Sequence, residues 1–256
     1  MKRVIEEDDV VIMNFSGIYS LERFAHDKRF RVLDCTHLQG TDRYCDSEAR
    51  QKIKELLAPF PYSGIHFIDS GDYHYMTKFW TDKIGCPFNL LVFDHHTDMR
   101  EPAFGPILSC GDWVKEALDS NLNLCKVILV GPPERMRNTL PSEHLDRVEF
   151  HPESELLDGD GWKRYLGEHK DFPMYISIDK DLLMKKSCPT NWDQGNVPLS
   201  LFDEILEAVL ESEHVIGIDI CGECSPSLDY LERRMEATKD SQVNGTILET
   251  IIETAG

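Results

Sequence analysis

LLVFDHHTDMR, residues 90–100, decides how the chain is read. Its apolar start, Leu90 to Phe93, runs straight into Asp94, His95, His96, Thr97 and Asp98. An uninterrupted apolar run with branched and aromatic side chains reads as a strand covered on both faces. Side chains alternate along a strand, so Asp94, His96 and Asp98 share one face while His95 and Thr97 point the other way. Fully extended, residues 94 and 98 would lie about 13 Å apart. For both carboxylates to serve one small site, the chain must curl as it leaves the strand. C-terminal strand ends are where open α/β sheets hold their ligands.

Similar short apolar runs recur at 10–15, 31–35, 64–69, 126–131, 147–151, 173–179 and 214–220. Helix-like segments lie between many of them, at 46–58, 75–84, 110–120, 161–169, 200–212 and 227–254. This alternation predicts an α/β fold: a single-domain, doubly wound, mainly parallel sheet flanked by helices in three α/β/α layers. No linker interrupts residues 1–256, so one domain is expected. The segments starting at Asp46 and at Leu199-Ser200 both look capped. The loop at 182–198 is long for a compact α/β domain, and such loops are often functional.

With 256 residues the chain can bury a sizeable core. Lys and Arg total 27 against 46 Asp and Glu, a net charge of −19. That balance argues against nucleic acid and anionic membrane as partners. No apolar run is long enough to span a bilayer, and the opening MKRVIEEDDVV has no leader-like stretch. Eight scattered cysteines then suggest reduced thiols and a cytoplasmic protein. Cys221-Gly-Glu-Cys224 has redox or zinc spacing but no second such pair, so packing is the expectation.

Two further strand ends repeat the chemistry of residues 94–98. Met174-Tyr-Ile-Ser-Ile-Asp179-Lys-Asp181 ends in Asp-x-Asp, and Ile65-His-Phe-Ile-Asp69-Ser-Gly-Asp72-Tyr-His74 ends in a polar turn with a histidine. Together they offer His74, Asp94, His96, Asp98, Asp179 and Asp181. Gathering four carboxylates without cations is unfavourable, whereas divalent metals invert that balance. Six N/O ligands without sulfur suit two ions, with Mn2+ favoured and Fe, Co, Ni or Zn open.

These motifs resemble those of the arginase (ureohydrolase) superfamily. Asp94-His-His96-Thr-Asp98 is similar to its Asp-Ala-His-Thr-Asp motif, and Ser177-Ile-Asp179-Lys-Asp181 to its Ser-x-Asp-x-Asp motif. Ser70-Gly-Asp-Tyr-His74 resembles Gly-Gly-Asp-His with one insertion, and Ile218-Asp-Ile-Cys-Gly-Glu223-Cys-Ser-Pro226 resembles the strand ending in Glu-Val-Asn-Pro. The resemblance implies two Mn2+ per chain. His74 and Asp98 would hold one, His96 and Asp181 the other, and Asp94 and Asp179 would bridge them. It also implies hydrolysis of a guanidino C–N bond with release of urea. Asp98 would aim the attacking water, and Glu223 would receive the cationic guanidinium.

The match fails where free-arginine enzymes hold the amino-acid head group. Met99-Arg100-Glu101 replaces an Asn-containing stretch, and Ser109-Cys-Gly-Asp-Trp113 lacks the expected His. A peptide-embedded arginine or a small guanidino compound is therefore the expected substrate. Arg100 could meet a substrate carboxylate, Trp192 could cover an alkyl-guanidinium, and Asp193 could bind its charge. A homo-oligomer is compatible with the sequence. The competing reading is a deacetylase-like amidohydrolase with one zinc, against which His74 and the doubled Asp-x-Asp argue. A non-enzymatic member of the same fold is the third reading.

Overall fold

The computed structural model describes residues 9–105, 107–165 and 169–255. Ten strands form: β1 (Val10–Asn14), β2 (Arg31–Asp34), β3 (Tyr44–Cys45), β4 (Ile65–Phe67), β5 (Phe88–Phe93), β6 (Leu108–Ser109), β7 (Leu124–Gly131), β8 (Val148–Pro152), β9 (Met174–Asp179) and β10 (Val215–Cys221). Eight of them make one sheet in the order β2-β1-β4-β10-β9-β5-β7-β8. Every pairing within it is parallel. These are the eight apolar runs of the sequence. The remaining pair, β3 and β6, is antiparallel and two residues long, too short to show any alternation.

Period-two alternation gives the sheet two dry faces. Val10 and Ile12 of β1, Leu91 and Phe93 of β5, and Ile176 and Ile178 of β9 belong to one core. Val11 and Met13, Leu90 and Val92, and Tyr175 belong to the other. Helices cover both: α1 (Ser47–Leu57), α2 (Met76–Thr81), α3 (Trp113–Ser120), α4 (Glu153–Leu157), α5 (Leu199–Ser212) and α6 (Tyr230–Ala255). In α1 the buried Ala49, Ile53 and Leu57 recur at intervals of four. The Asp46 carboxylate accepts from the Ala49 amide at 2.8 Å, so the expected cap is present.

Two helical expectations are corrected, and one helix was not expected. α5 is entered from Pro198 with no side-chain cap, so Ser200 does not start it. The segment expected at 161–169 is a short 3-10 turn over Gly161–Tyr165, and residues 166–168 lie outside the described residues. α4 was hidden in the sequence because five residues cannot establish a helical period. On α6 the buried face reads Ala237, Asp240, Ser241, Asn244, Ile247, Leu248 and Ile251. Helical spacing explains the row, but its polar middle needs buried partners.

Candidate metal centre

Strand direction places the chemistry. β4, β10, β9 and β5 are neighbours in the middle of the sheet, and all end on the same rim. After β4 the chain turns at Asp69, whose φ is +71°. The Asp69 carboxylate fixes that turn by accepting from the amides of Phe15, Ser16 and Ser70, each at 2.8 Å. A 3-10 turn over Gly71–Tyr73 then delivers His74. β5 stops at Phe93, and the following residues curl rather than extend. Asp98 has a φ of +48°, and its carbonyl accepts from the Val114 amide. The curl brings both ends of the motif to one place.

His74 Nδ1 lies 3.3 Å from Asp94 Oδ2, 3.0 Å from Asp98 Oδ2 and 3.4 Å from Asp179 Oδ2. His96 Nδ1 lies 3.4 Å from Asp94 Oδ1 and 2.8 Å from Asp181 Oδ2. Ligand atoms of His74, Asp94 and Asp98 lie within 4.8 Å of one another, as do those of Asp94, His96 and Asp181. Asp94 belongs to both sets and turns one oxygen toward each histidine. Three strand ends distant in sequence thus gather all six expected ligands.

Outer contacts fix their orientation. Ser177 Oγ donates to Asp219 Oδ1 at 2.6 Å, so it faces His74 Nε2, 2.9 Å away, as an acceptor. The Nε2 hydrogen then sits on that side, and Nδ1 is the atom turned to the acids. Trp113 donates its indole N–H to Asp98 Oδ2 at 2.6 Å. The His95 amide donates to Asp181 Oδ1, and the Asp181 amide to Asp179 Oδ1, both at 2.9 Å. Sequence reasoning named the six residues that the structure brings together but not these supporting hydrogen bonds. Only one had a local signal: Ser177 precedes Asp179 by two residues and so shares its face.

The electrostatics of the cluster favour positive charge among its acids. Burial, reinforced by Asp94, raises Asp98 to about 6. Burial and neighbouring acids likewise raise Asp179 and Asp181. Burial disfavours a charged His96, but Asp181 and Asp94 outweigh it and push the imidazole up to about 12. His74 is raised in the same way, its contacts to Cys221, Asp94 and Asp98 overcoming burial. Asp94 alone moves down, because both histidines offset its burial. Protonated imidazoles thus supply the charge that cations would. His74 Nδ1 and Asp94 Oδ2 are buried yet make no hydrogen bond. Orphaned atoms inside a carboxylate- and imidazole-rich set fit a pair of divalent metals.

The other expected contacts divide. Arg100 and Trp192 line the small cavity over the ligands, with Gly71, Cys110 and Gly111. That cavity is about 30 Å³, room for about two waters. Trp192 is held across it by its indole N–H to Asp72 at 3.0 Å, and Arg43 shares that carboxylate and stacks on the ring at 5.3 Å. Arg100 is exposed. Asp193 is also exposed and does not line the cavity. Glu223 is placed elsewhere: it is fully buried, with Oε2 2.8 Å from Lys180 Nζ and Oε1 accepting from Asn244 at 2.9 Å. A carboxylate already committed to an internal ammonium is not free to receive a guanidinium. The expectation for Glu223 is corrected on that ground.

Residues 19–241 match the model of the arginase family. An uncharacterized protein of Thermotoga maritima is 33% identical over 215 residues, covering 84% of this chain and 80% of its own. Proclavaminate amidino hydrolase from Streptomyces clavuligerus superposes with a TM-score of 0.71 at 12% identity, over 100% of this chain and 94% of that one. Trypanosoma cruzi formiminoglutamase, crystallised with Mn2+, superposes with a TM-score of 0.65 at 12% identity, over 95% and 92%. By sequence across most of its length, and by the sheet that carries the site, the chain belongs to the arginase family.

Proposed function

We propose that the chain is a binuclear metal hydrolase that cleaves the C–N bond of a guanidino or related amidino group. The observation that carries this reading is the pair of ligand sets sharing Asp94, with buried ligand atoms left unpartnered. His74, Asp94, Asp98 and Asp179 would hold one cation, and Asp94, His96, Asp179 and Asp181 the other. Mn2+ is the first metal to test, because oxygen ligation dominates and the Trypanosoma cruzi relative was crystallised with it. Bound cations of this kind lower the pKa of water and stabilise developing negative charge.

The remaining work falls to side chains. The Asp98 oxygen not held by Trp113 is free to orient a water and accept its proton. Trp192 covers the cavity and excludes bulk water, which strengthens every charge interaction inside. Arg100 lines the mouth without a carboxylate partner among the described residues, and it suits an acidic group at the far end of the substrate. With Glu223 taken by Lys180, the acids lining the cavity (Asp94, Asp98, Asp179 and Asp181) would be the ones to face the trigonal carbon.

Incubation of the Mn2+-loaded protein with guanidino acids, agmatine, formimidoyl amino acids and arginine-containing peptides, followed by mass spectrometry, tests the reading. Loss of urea or another amide product from at least one class is expected. Metal-dependent release of acetate from acetylated amines, with no amidino hydrolysis, would move the chain to the deacetylase-like alternative.

A further inference from the structure

Cys221 is buried in the core and also reaches the acids and imidazoles of the candidate site. It ends β10 directly opposite Asp179 in the β9–β10 register, so both side chains point to the same face at the same rim. Its sulfur lies 3.1 Å from Asp179 Oδ2. Sγ, a carboxylate oxygen of Asp179 and a ring nitrogen of His74 lie within 4.8 Å of one another, and all three residues are buried. A second observation marks this as a ligand position: His74 Nδ1 is 3.4 Å from that same Asp179 oxygen and has no hydrogen-bond partner. Cys224 takes no part, since it packs in the opposite core, where its amide donates to Asp240. The Cys-x-x-Cys spacing is therefore not a chelate. One thiol faces the centre and the other faces away.

We propose that Cys221 is a further ligand of the metal position built by His74 and Asp179, and that this position takes a thiophilic divalent ion such as Zn2+ or Co2+ in preference to Mn2+. The inference rests on the reading of the cluster as a metal centre. Thiolate ligands favour zinc and cobalt over manganese, whereas carboxylate and imidazole are less selective. The set of Asp94, His96 and Asp181 contains no sulfur. The two positions thus differ in softness, and the protein assembles an unlike pair of metals. On binding, the Cys221 S–H bond breaks, its proton passes to buffer, and the sulfur lone pair forms the bond to the cation.

The test is to load the full chain with Co2+, count bound metal by elemental analysis, and record the near-ultraviolet thiolate-to-cobalt charge-transfer band. The band is expected in the unchanged protein and in Cys110→Ser, whose thiol also lines the cavity, and is expected to vanish in Cys221→Ser. Zinc affinity in Cys221→Ser is expected to fall by at least about tenfold, a loss that even indirect support of a metal produces, with Mn2+ affinity changed much less. Cobalt bound without the band, or a band that survives in Cys221→Ser, overturns the assignment of Cys221 and leaves the centre standing. No cobalt bound at all overturns both.

Discussion

At the scale of single residues, the candidate site biases its imidazoles toward their protonated form. His96 is raised to about 12 and His74 also lies well above its ordinary value, so both imidazoles carry a proton at neutral pH that a cation must displace. Titration calorimetry at pH 7 in buffers of differing ionisation enthalpy should report net proton release as the site fills. Apparent affinity should accordingly rise with pH and fall on acidification, more steeply below the value of about 6 held by Asp98. Proton uptake, or none exchanged, would contradict the site. Trp113→Phe keeps an aromatic side chain and removes the donor to Asp98. It should weaken metal binding by about 10- to 100-fold, measured by competition with a chelating dye. The six residues gathered in the candidate site were legible in the sequence because each sits in a short Asp-x-Asp, Asp-x-His or turn motif at a strand end. Trp113, 15 residues from Asp98, and Asp219, 42 residues from Ser177, were not, since only folding creates those contacts.

At the scale of elements, α6 is tied to the ligand-bearing end of β9 through Lys180. The residue lies between Asp179 and Asp181 and reaches away from the cavity, where its ammonium meets Glu223 and the side-chain Oδ1 of Asn244, both at 2.8 Å. Asn244 also donates to Glu22 at 2.8 Å. Burial, and then Glu223, raise Glu22 well above the usual carboxylate range. This is the partnership that the polar middle of α6 required. Removing one member of a buried ion pair costs about 3–5 kcal/mol, so Lys180→Met should destabilise by that amount in urea unfolding. Lys180→Met combined with Glu223→Gln should regain most of the loss, and a double variant no better than the single would refute the pairing. The alternation of side chains already put Lys180 opposite its two aspartates. What the sequence lacked was the partner, because its motif offers Glu223 as a receiver for the guanidinium, and only the packing of α6 ties it to Lys180 and Asn244.

At the scale of the whole molecule, two cations would join elements from 74 to 181 that are held otherwise by burial and sheet pairing. Stability gained by ligand binding is about 2.7 kcal/mol per site at a hundredfold excess over Kd. A domain of this size shifts about 2–4 °C per kcal/mol. Differential scanning calorimetry with metal and then with chelator should therefore separate the two states by on the order of 10 °C. An unchanged Tm would speak against a structural load on the centre. The eight sheet strands were readable as apolar runs, whereas their order was not, since crossover lengths do not fix which neighbour a strand joins. No helix among the described residues is long and apolar enough to cross a membrane. Finally, eight parallel strands give the molecule a front and a back. The ligands occupy the front rim, while the turn that carries Leu122, 99% exposed between α3 and β7, lies on the back. A dye, an affinity handle or a solid support attached at position 122 would leave the reactive rim facing outward and unobstructed.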